Sequence, residues 1–233
     1  MDAALKILAE SEMLSALSAQ AREGIASKMR RVEAKRGSII FSHLDEGDAV
    51  YMVLDGRVKV HLHDADGREL ILADMGAGAI FGEMSLLDDH PRSATVTAAK
   101  DCHLAVLSRD GLMAVIGEHP EVAMVLLQLL SRRLRVADQV IFDLALRDVV
   151  DRLARLLMAM AVPHPDEPEW LVIEATPSQS EIASRVGASR ETISRTIAHF
   201  RRLGLVVSSG RRTSLTGAFV NRFDHLLGGF ALL

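Results

Sequence analysis

Residues Glu121–Leu146 read EVAMVLLQLLSRRLRVADQVIFDLAL, with apolar or small residues at Ala123, Leu127, Leu130, Leu134, Ala137, Ile141 and Leu144. The steps between them alternate four and three, a heptad seam of about 3.5 residues per turn. Pro120 precedes the run and no Gly or Pro interrupts it. The spacing predicts one helix roughly 39 Å long at about 1.5 Å per residue. Such a seam needs a partner, either the core of a monomer or a parallel copy of itself. The second reading makes it a dimerisation helix, residues 120–146, between a domain spanning 1–119 and another spanning 147–233.

Length and composition allow this division. The chain has 233 residues, enough for one large domain or two small ones, and 49% hydrophobic with 25% charged residues is ordinary for a globular protein. No apolar run is long enough for a membrane helix and MDAALKILAE carries no signal-peptide pattern, so a cytoplasmic protein without a membrane partner is expected. The single Cys102 excludes an intrachain disulfide and a four-cysteine metal or iron–sulfur site. The net charge of −4 is unevenly spread. From Ser178 to Arg222 eight arginines face two glutamates, a net +6 that leaves −10 on the remainder. That asymmetry suggests a polyanion as partner of the C-terminal segment alone.

Upstream of the helix the texture changes twice. Residues 1–30 predict short helices, with Leu5, Leu8, Leu14, Leu17 and Ile25 at loosely helical spacing. Residues 31–108 alternate β-prone runs (SIIF, AVYMVL, RVKVHL, ELILADM, SATVTAA, CHLAVL) with glycine turns, of which Asp55-Gly56 and Asp66-Gly67 are the tightest signals. Many short strands at this spacing predict a sandwich, roll or barrel. In RVKVHLH the valines point one way, and Lys59, His61 and His63 the other. His61-x-His63 followed by Glu69 resembles the metal motif of cupin enzymes. No later histidine–asparagine motif completes it, so two solvent-facing histidines and no metal site are expected.

The chemistry of this half lies in Phe81-Gly-Glu-Met-Ser-Leu-Leu-Asp-Asp-His-Pro-Arg-Ser-Ala94. Gly82 permits close backbone approach, Glu83 is an acceptor-only carboxylate, and Arg92 is a planar fork suited to phosphate. Ser85 and Ser93 add hydroxyls. A Glu83–Arg92 salt bridge within the loop is the simplest alternative. The pattern resembles the phosphate-binding cassette of the cyclic-nucleotide-binding domain, in the version found in CRP/FNR-family bacterial transcription regulators. The resemblance implies that Glu83 accepts the ribose 2′-hydroxyl and Arg92 pairs with the cyclic phosphate. It further implies a ligand site of Val60, Leu72, Gly82, Met84, Ser85, Ser93 and Ala94, completed from the long helix by Leu134, Ala137 and Asp138.

Beyond the helix, Asp148 is a cap for VVDRLARLLMAMA, and Pro163, Pro165 and Pro168 make the next stretch a loop. Ser178 and Glu181 form a capping box; Ile182, Ala183 and Val186 face inward, Gly187 turns, and Ser189 opens a second helix on Ile193, Ile197 and Phe200. Helix, glycine turn, helix is a helix-turn-helix pattern, and LVVSSGRRTSLTG resembles the wing of a winged helix. The same family's DNA-binding domain has Ser-Arg-Glu-Thr at this place, here Ser189, Arg190, Glu191 and Thr192. The resemblance makes Arg190, Glu191 and Arg195 base readers in double-stranded DNA and implies TGTGA-like half-sites in a palindrome. Gln179, Ser180 and the wing arginines, Arg211 first, are then phosphate contacts. After Thr213 the resemblance stops, and Ala218–Leu227 predicts a short helix with Phe219, Phe223 and Leu226 packing inward.

The expected fold is therefore α+β: an N-terminal jelly-roll-like β-roll, a long dimerisation helix and a C-terminal winged helix-turn-helix. The expected function is allosteric transcription regulation by a cyclic nucleotide, cAMP or cGMP, in a homodimer that works with RNA polymerase. No catalytic residue and no cofactor is expected. In the cAMP-dependent activators a Thr-Ser pair on the long helix meets the adenine amino group. Here Ala137 has no hydroxyl and Asp138 only accepts, which suits the paired donors of guanine. The alternatives are a family regulator that senses another ligand or none, and, more remotely, a cupin metalloenzyme.

Overall fold

The computed structural model describes Ile7 and residues 14–226, so Leu5, Leu8 and Leu227 of the expected helices lie outside the described residues. The chain divides into two compact units, one ending at Val136 and the other beginning at Ala137.

The first unit opens with helix α1 (Ala19–Lys28), whose N-terminus is capped by the Ser18 hydroxyl accepting from Ala21 N–H at 3.2 Å. Strands β1 (Arg30–Ala34), β2 (Ile39–Phe41), β3 (Ala49–Asp55), β4 (Val58–His63), β5 (Glu69–Met75) and β6 (Ile80–Phe81) come next. A short helix α2 (Glu83–Asp88) then leads to β7 (Thr95–Ala98), β8 (Cys102–Ser108), α3 (Arg109–Glu118) and α4 (Glu121–Leu146). The strands form two antiparallel four-stranded sheets, ordered β1-β8-β3-β6 and β2-β7-β4-β5. That is the expected roll. The pleat explains why AVYMVL is almost continuously apolar. Val53 turns to an interior cluster with Val58, Phe81, Val96 and Leu104, while Val50, Met52 and Leu54 turn the other way against α1, α3 and the start of α4.

Three features of the roll depart from expectation. Strands β1 and β6 and helix α3 arise where no periodicity announced them; α3 is held by Ser108 Oγ accepting from Gly111 N–H at 3.2 Å. Leu72 is the extra residue of a bulge in β5, since Val60 pairs with Ala73 and His61 with Ile71, and it is 42% exposed. His61 lies on the face opposite the valines, as its period requires, but it is 5% exposed rather than solvated. Neighbours on the same face cover it: Lys59, Glu69, Thr97 and the edge of the His63 ring, 5.0 Å away between centroids.

Helix α4 forms over the whole heptad run. Val122, Val125 and Leu126 bury its first turns in the helical layer of the roll. The seam itself is not a monomer's core, since within one chain Leu134 is 64% and Ile141 63% exposed. From Ala137 onward α4 belongs to the second unit, where Asp143 pairs with Arg147 at 3.0 Å and with the buried Arg155 of α5 (Val149–Met160). The cap of α5 is the expected one: Asp148 Oδ1 accepts from Asp151 N–H at 2.9 Å.

Val162-Pro163, expected as loop, forms the edge strand β9 on β10 (Leu171–Ile173), a place where proline's missing N–H costs nothing. Then come α6 (Gln179–Val186), α7 (Arg190–Arg202), β11 (Val206–Ser209), β12 (Arg212–Leu215) and α8 (Gly217–Phe223). The third sheet is ordered β11-β12-β10-β9. Gly187, at φ +68°, makes the turn between α6 and α7 that a residue with Cβ adopts only with strain. Ile182, Ala183, Val186, Ile193, Ile197 and Phe200 all face one core. The tail joins that core. Phe219 and Phe223 lie 5.4 and 5.6 Å from Phe200 between ring centroids. Each ring buried is worth about 1.5–3 kcal/mol, so α8 is an integral layer of this unit.

Candidate functional site

In the first unit the candidate site is assembled by α2 and the segment before β7. Gly82, at φ +81°, ends β6 and opens α2, and a Cβ there would lie 2.7 Å from Arg92 Nη1. Only glycine leaves room for that guanidinium. Arg92 is 3% exposed, and its Nη1 donates to the Gly82 carbonyl at 2.6 Å and its Nη2 to the Ala49 carbonyl at 2.9 Å. Its Nε has no partner. The Phe41 ring lies beneath it, 4.2 Å from the guanidinium carbon to the ring centroid. Burial pulls its pKa below the ordinary arginine value, against the raising influence of Tyr51 and Asp48. Arginine nevertheless remains a cation in proteins. The result is a dry positive charge with one fork edge uncommitted.

Glu83 is fully buried and does not pair with Arg92. Its Oε1 accepts from Arg133 Nη1, while Arg133 Nη2 donates to the Ile80 carbonyl at 2.5 Å. Glu83 Oε2 has no partner. Burial raises the Glu83 pKa, and the positive Arg133 opposes the rise. The loop salt bridge considered from the sequence is thus replaced by a longer-range one, and Arg133 is the residue that sequence reading missed. The signal lay beside the seam: Arg133 precedes Leu134 on a helix whose first turns face the roll.

A pocket in the roll is lined by Val60, Gly82, Met84, Ser85, Arg92, Ser93 and Ala94 from the expected set, together with Phe41, Phe81 and Arg133. Leu72 and Leu134 are exposed rather than gathered there. Ala137 and Asp138 belong to the second unit and are exposed.

Replacing Arg133 with Met is expected to leave Glu83 as a buried carboxylate without its cation. Removing one partner of a buried pair costs about 3–5 kcal/mol; Arg133 is partly exposed, so the lower end applies. The sign comes from the direction of the shift. A carboxyl whose folded pKa is raised favours folding more in its protonated form, so the variant's deficit should shrink as pH falls through that folded pKa. Urea denaturation of both proteins between neutral and mildly acid pH measures this. A deficit independent of pH would assign the loss to packing alone.

In the second unit the exposed end of α7 carries the other chemistry. Ser189 Oγ caps it, accepting from Thr192 N–H at 3.2 Å. Arg190, Glu191 and Arg195 are exposed, with Arg195 Nη2 donating to Thr192 Oγ1 at 3.4 Å. The Glu191 carboxyl is held below its usual range by the backbone amide at the helix N-terminus and then by Ser189, so it stays ionised and acceptor-only. Ser178 Oγ caps α6 by accepting from Glu181 N–H, but Glu181 reaches forward to Arg185 at 2.9 Å rather than back to Ser178. Arg211 is exposed beside Gly210 at the tip of the β11–β12 hairpin, whereas Arg212 pairs with Glu174 at 3.4 Å. Of the two wing arginines, Arg211 is the one available to a phosphate.

Comparison with known proteins gives each unit a relative. Residues 31–119 match the cyclic nucleotide-binding domain family and residues 151–216 the Crp-like helix-turn-helix domain. Over 207 residues the chain is 32% identical to the CRP-like cAMP-activated global transcriptional regulator of Mycobacterium tuberculosis, covering 88% of this chain and 92% of that one. The chain belongs to the CRP/FNR family of transcription regulators. It is likewise 36% identical over 171 residues to the cyclic AMP receptor protein of Thermus thermophilus, across 73% of this chain and 76% of that one. Among solved structures it resembles the c-di-GMP responsive global regulator CLP of Xanthomonas campestris, with a TM-score of 0.75, 26% identity, and coverage of 85% and 99%. As a CRP/FNR-family member it is a DNA-binding transcription regulator and not an enzyme. Gly82, Glu83, Arg92 and Ser93 fall within the span matched to the nucleotide-binding domain, and α8 lies beyond the residues matched to the helix-turn-helix domain. No single described helix is long and apolar enough to cross a membrane.

Proposed function

We propose that a cyclic mononucleotide binds in the roll, its phosphate on Arg92 and its ribose 2′-hydroxyl on Glu83, and that binding controls how a homodimer reads DNA. The observation that carries this reading is the pair of uncommitted buried atoms, Arg92 Nε and Glu83 Oε2, one a charged donor and the other an acceptor. They offer what a cyclic phosphate and a ribose hydroxyl require. The exposed apolar seam of α4 supports a second copy of the chain as partner. Two copies of α7 then meet TGTGA-like half-sites about 34 Å apart. A cytoplasmic location and RNA polymerase as further partner belong to the same proposal.

For the purine, the names of the curated relatives favour cAMP. Asp138 favours a second reading, cGMP, because a carboxylate pairs with two donors of guanine's Watson–Crick edge and finds less on adenine. The ligand must bind the DNA-competent state more tightly, by about 1–3 kcal/mol of coupling. Calorimetric titration with cAMP, cGMP and cyclic di-GMP, then mobility shifts on a TGTGA palindrome with each, tests the proposal. Saturable heat from one mononucleotide, with tighter DNA binding in its presence, is the expected outcome. No heat from any of them overturns nucleotide control, and Asp138→Ser should reverse the preference if Asp138 reads the purine.

A further inference from the structure

One group of side chains is used neither by the nucleotide pocket nor by the DNA reader. His61 and His63 of β4 and Glu69 of β5 bring Nδ1, Nε2 and a carboxylate oxygen within 4.8 Å of one another. No other such group of three or more His, Cys, Asp and Glu side chains occurs among the described residues. The geometry points to a binding site for a divalent transition-metal ion, ligated by His61 Nδ1, His63 Nε2 and Glu69 Oε1.

The hairpin supplies the placement. His61 and His63 are two apart on one strand and so share a face, and β5 returns antiparallel with Glu69 directly opposite His63. Glu69 Oε1 lies 3.3 Å from His61 Nδ1 and 3.9 Å from His63 Nε2. Ligands about 2.0–2.2 Å from an ion in a tetrahedral site are roughly 3.4 Å from each other. The half-exposed His63 ring and the Glu69 carboxylate need only small rotations to complete the set.

A second observation separates this trio from a chance surface cluster. The His61 side chain is 6% exposed, its Nδ1 is buried, and that atom makes no hydrogen bond although a carboxylate oxygen faces it. The other ring nitrogen, Nε2, is already engaged with Thr97 Oγ1 at 2.9 Å on β7. Donation by Nε2 to Thr97 would fix the tautomer that leaves the Nδ1 lone pair directed at Glu69. This is the kind of outer contact that orients a ligating histidine. Two acceptors then face each other, an arrangement that a cation between them relieves.

A competing cation is present. The Lys59 ammonium sits on Glu69 Oε1 at 2.5 Å. It neutralises the carboxylate when no ion is bound, and its long stem lets it move to solvent when one is. Two imidazoles and one carboxylate suit zinc, nickel, copper or iron rather than calcium or magnesium.

Titration of the full-length protein with Co²⁺, monitored by visible absorption and completed by displacement with Zn²⁺, tests the site. One Co²⁺ per chain, released stoichiometrically by Zn²⁺, is expected. His63→Ala and Glu69→Gln should each weaken binding more than about 10-fold, with unchanged circular dichroism, since His63 is half-exposed and glutamine keeps the shape of Glu69. Lys59→Met should tighten binding by removing the competitor, which a generic surface-histidine site would not do. No saturable Co²⁺ binding, or an affinity unmoved by His63→Ala or Glu69→Gln, overturns the proposal. Weaker binding in Lys59→Met overturns the competition between ammonium and metal.

Discussion

Replacing Arg92 with Gln is expected to abolish nucleotide binding at concentrations that saturate the wild-type protein, weakening affinity by more than about 100-fold. The magnitude comes from the contacts at stake. A charge-assisted hydrogen bond contributes about 1.5–3 kcal/mol, and a fork that grips phosphate makes two of them. The structure holds the guanidinium ready for that grip: desolvated, braced by the Gly82 and Ala49 carbonyls, resting on Phe41, with Nε unpaired. Arg92→Lys should recover little, because an ammonium cannot hold both carbonyls and present a second parallel donor to phosphate. Calorimetry reads the affinity directly. Mobility shifts without ligand serve as the control, since Arg92 lies in the first unit and basal DNA binding should be unchanged. Wild-type affinity in Arg92→Gln would remove Arg92 from the phosphate site. Lost affinity together with a lowered melting temperature and lost basal DNA binding would instead mark Arg92 as a structural brace.

Much of this architecture was legible because its signals are local. A heptad spacing and Asp148 before an amphipathic run are signals carried by neighbouring residues, and each gave the element it promised. What escaped depends on chain brought from afar. Glu83 and Arg133 are fifty positions apart, so a local reading paired Glu83 with the nearer Arg92. His61 pointed to the correct face, but its burial depends on Glu69 and Thr97 from two other strands. Strand β1 is exposed at three of its five positions and alternates over only four residues, too short a run to announce a strand that its pairing with β8 makes. Pro163 argued for a loop, yet an edge strand asks for no N–H from it. The bulge at Leu72 is invisible in ELILADM because one extra residue leaves composition and alternation nearly intact while turning a side chain outward.

The second large effect is expected at the DNA reader, where Arg190→Ala and Arg211→Ala should fail in different ways. Arg190 stands at the first position of α7, exposed, beside an ionised Glu191 and behind the Ser189 cap, at the end of the helix suited to base edges. A bidentate arginine–guanine pair contributes about 1–3 kcal/mol of discrimination per half-site, so a two-fold dimer loses roughly twice that. Arg190→Ala should therefore weaken binding to a TGTGA palindrome by about 30-fold or more, while affinity for random-sequence DNA changes little. Arg211, exposed at the hairpin tip and clear of the Glu174 pair that holds Arg212, faces phosphate by the same proposal. Its loss should weaken specific and random DNA alike and reduce the salt slope by about one per reader. Fluorescence anisotropy on both DNAs at several salt concentrations separates the two. If Arg190→Ala lowered both affinities equally, α7 would be a phosphate anchor and sequence reading would lie elsewhere on this unit. If it lowered only the specific one, Arg190 reads bases and its position at the start of α7 sets the register of the half-site.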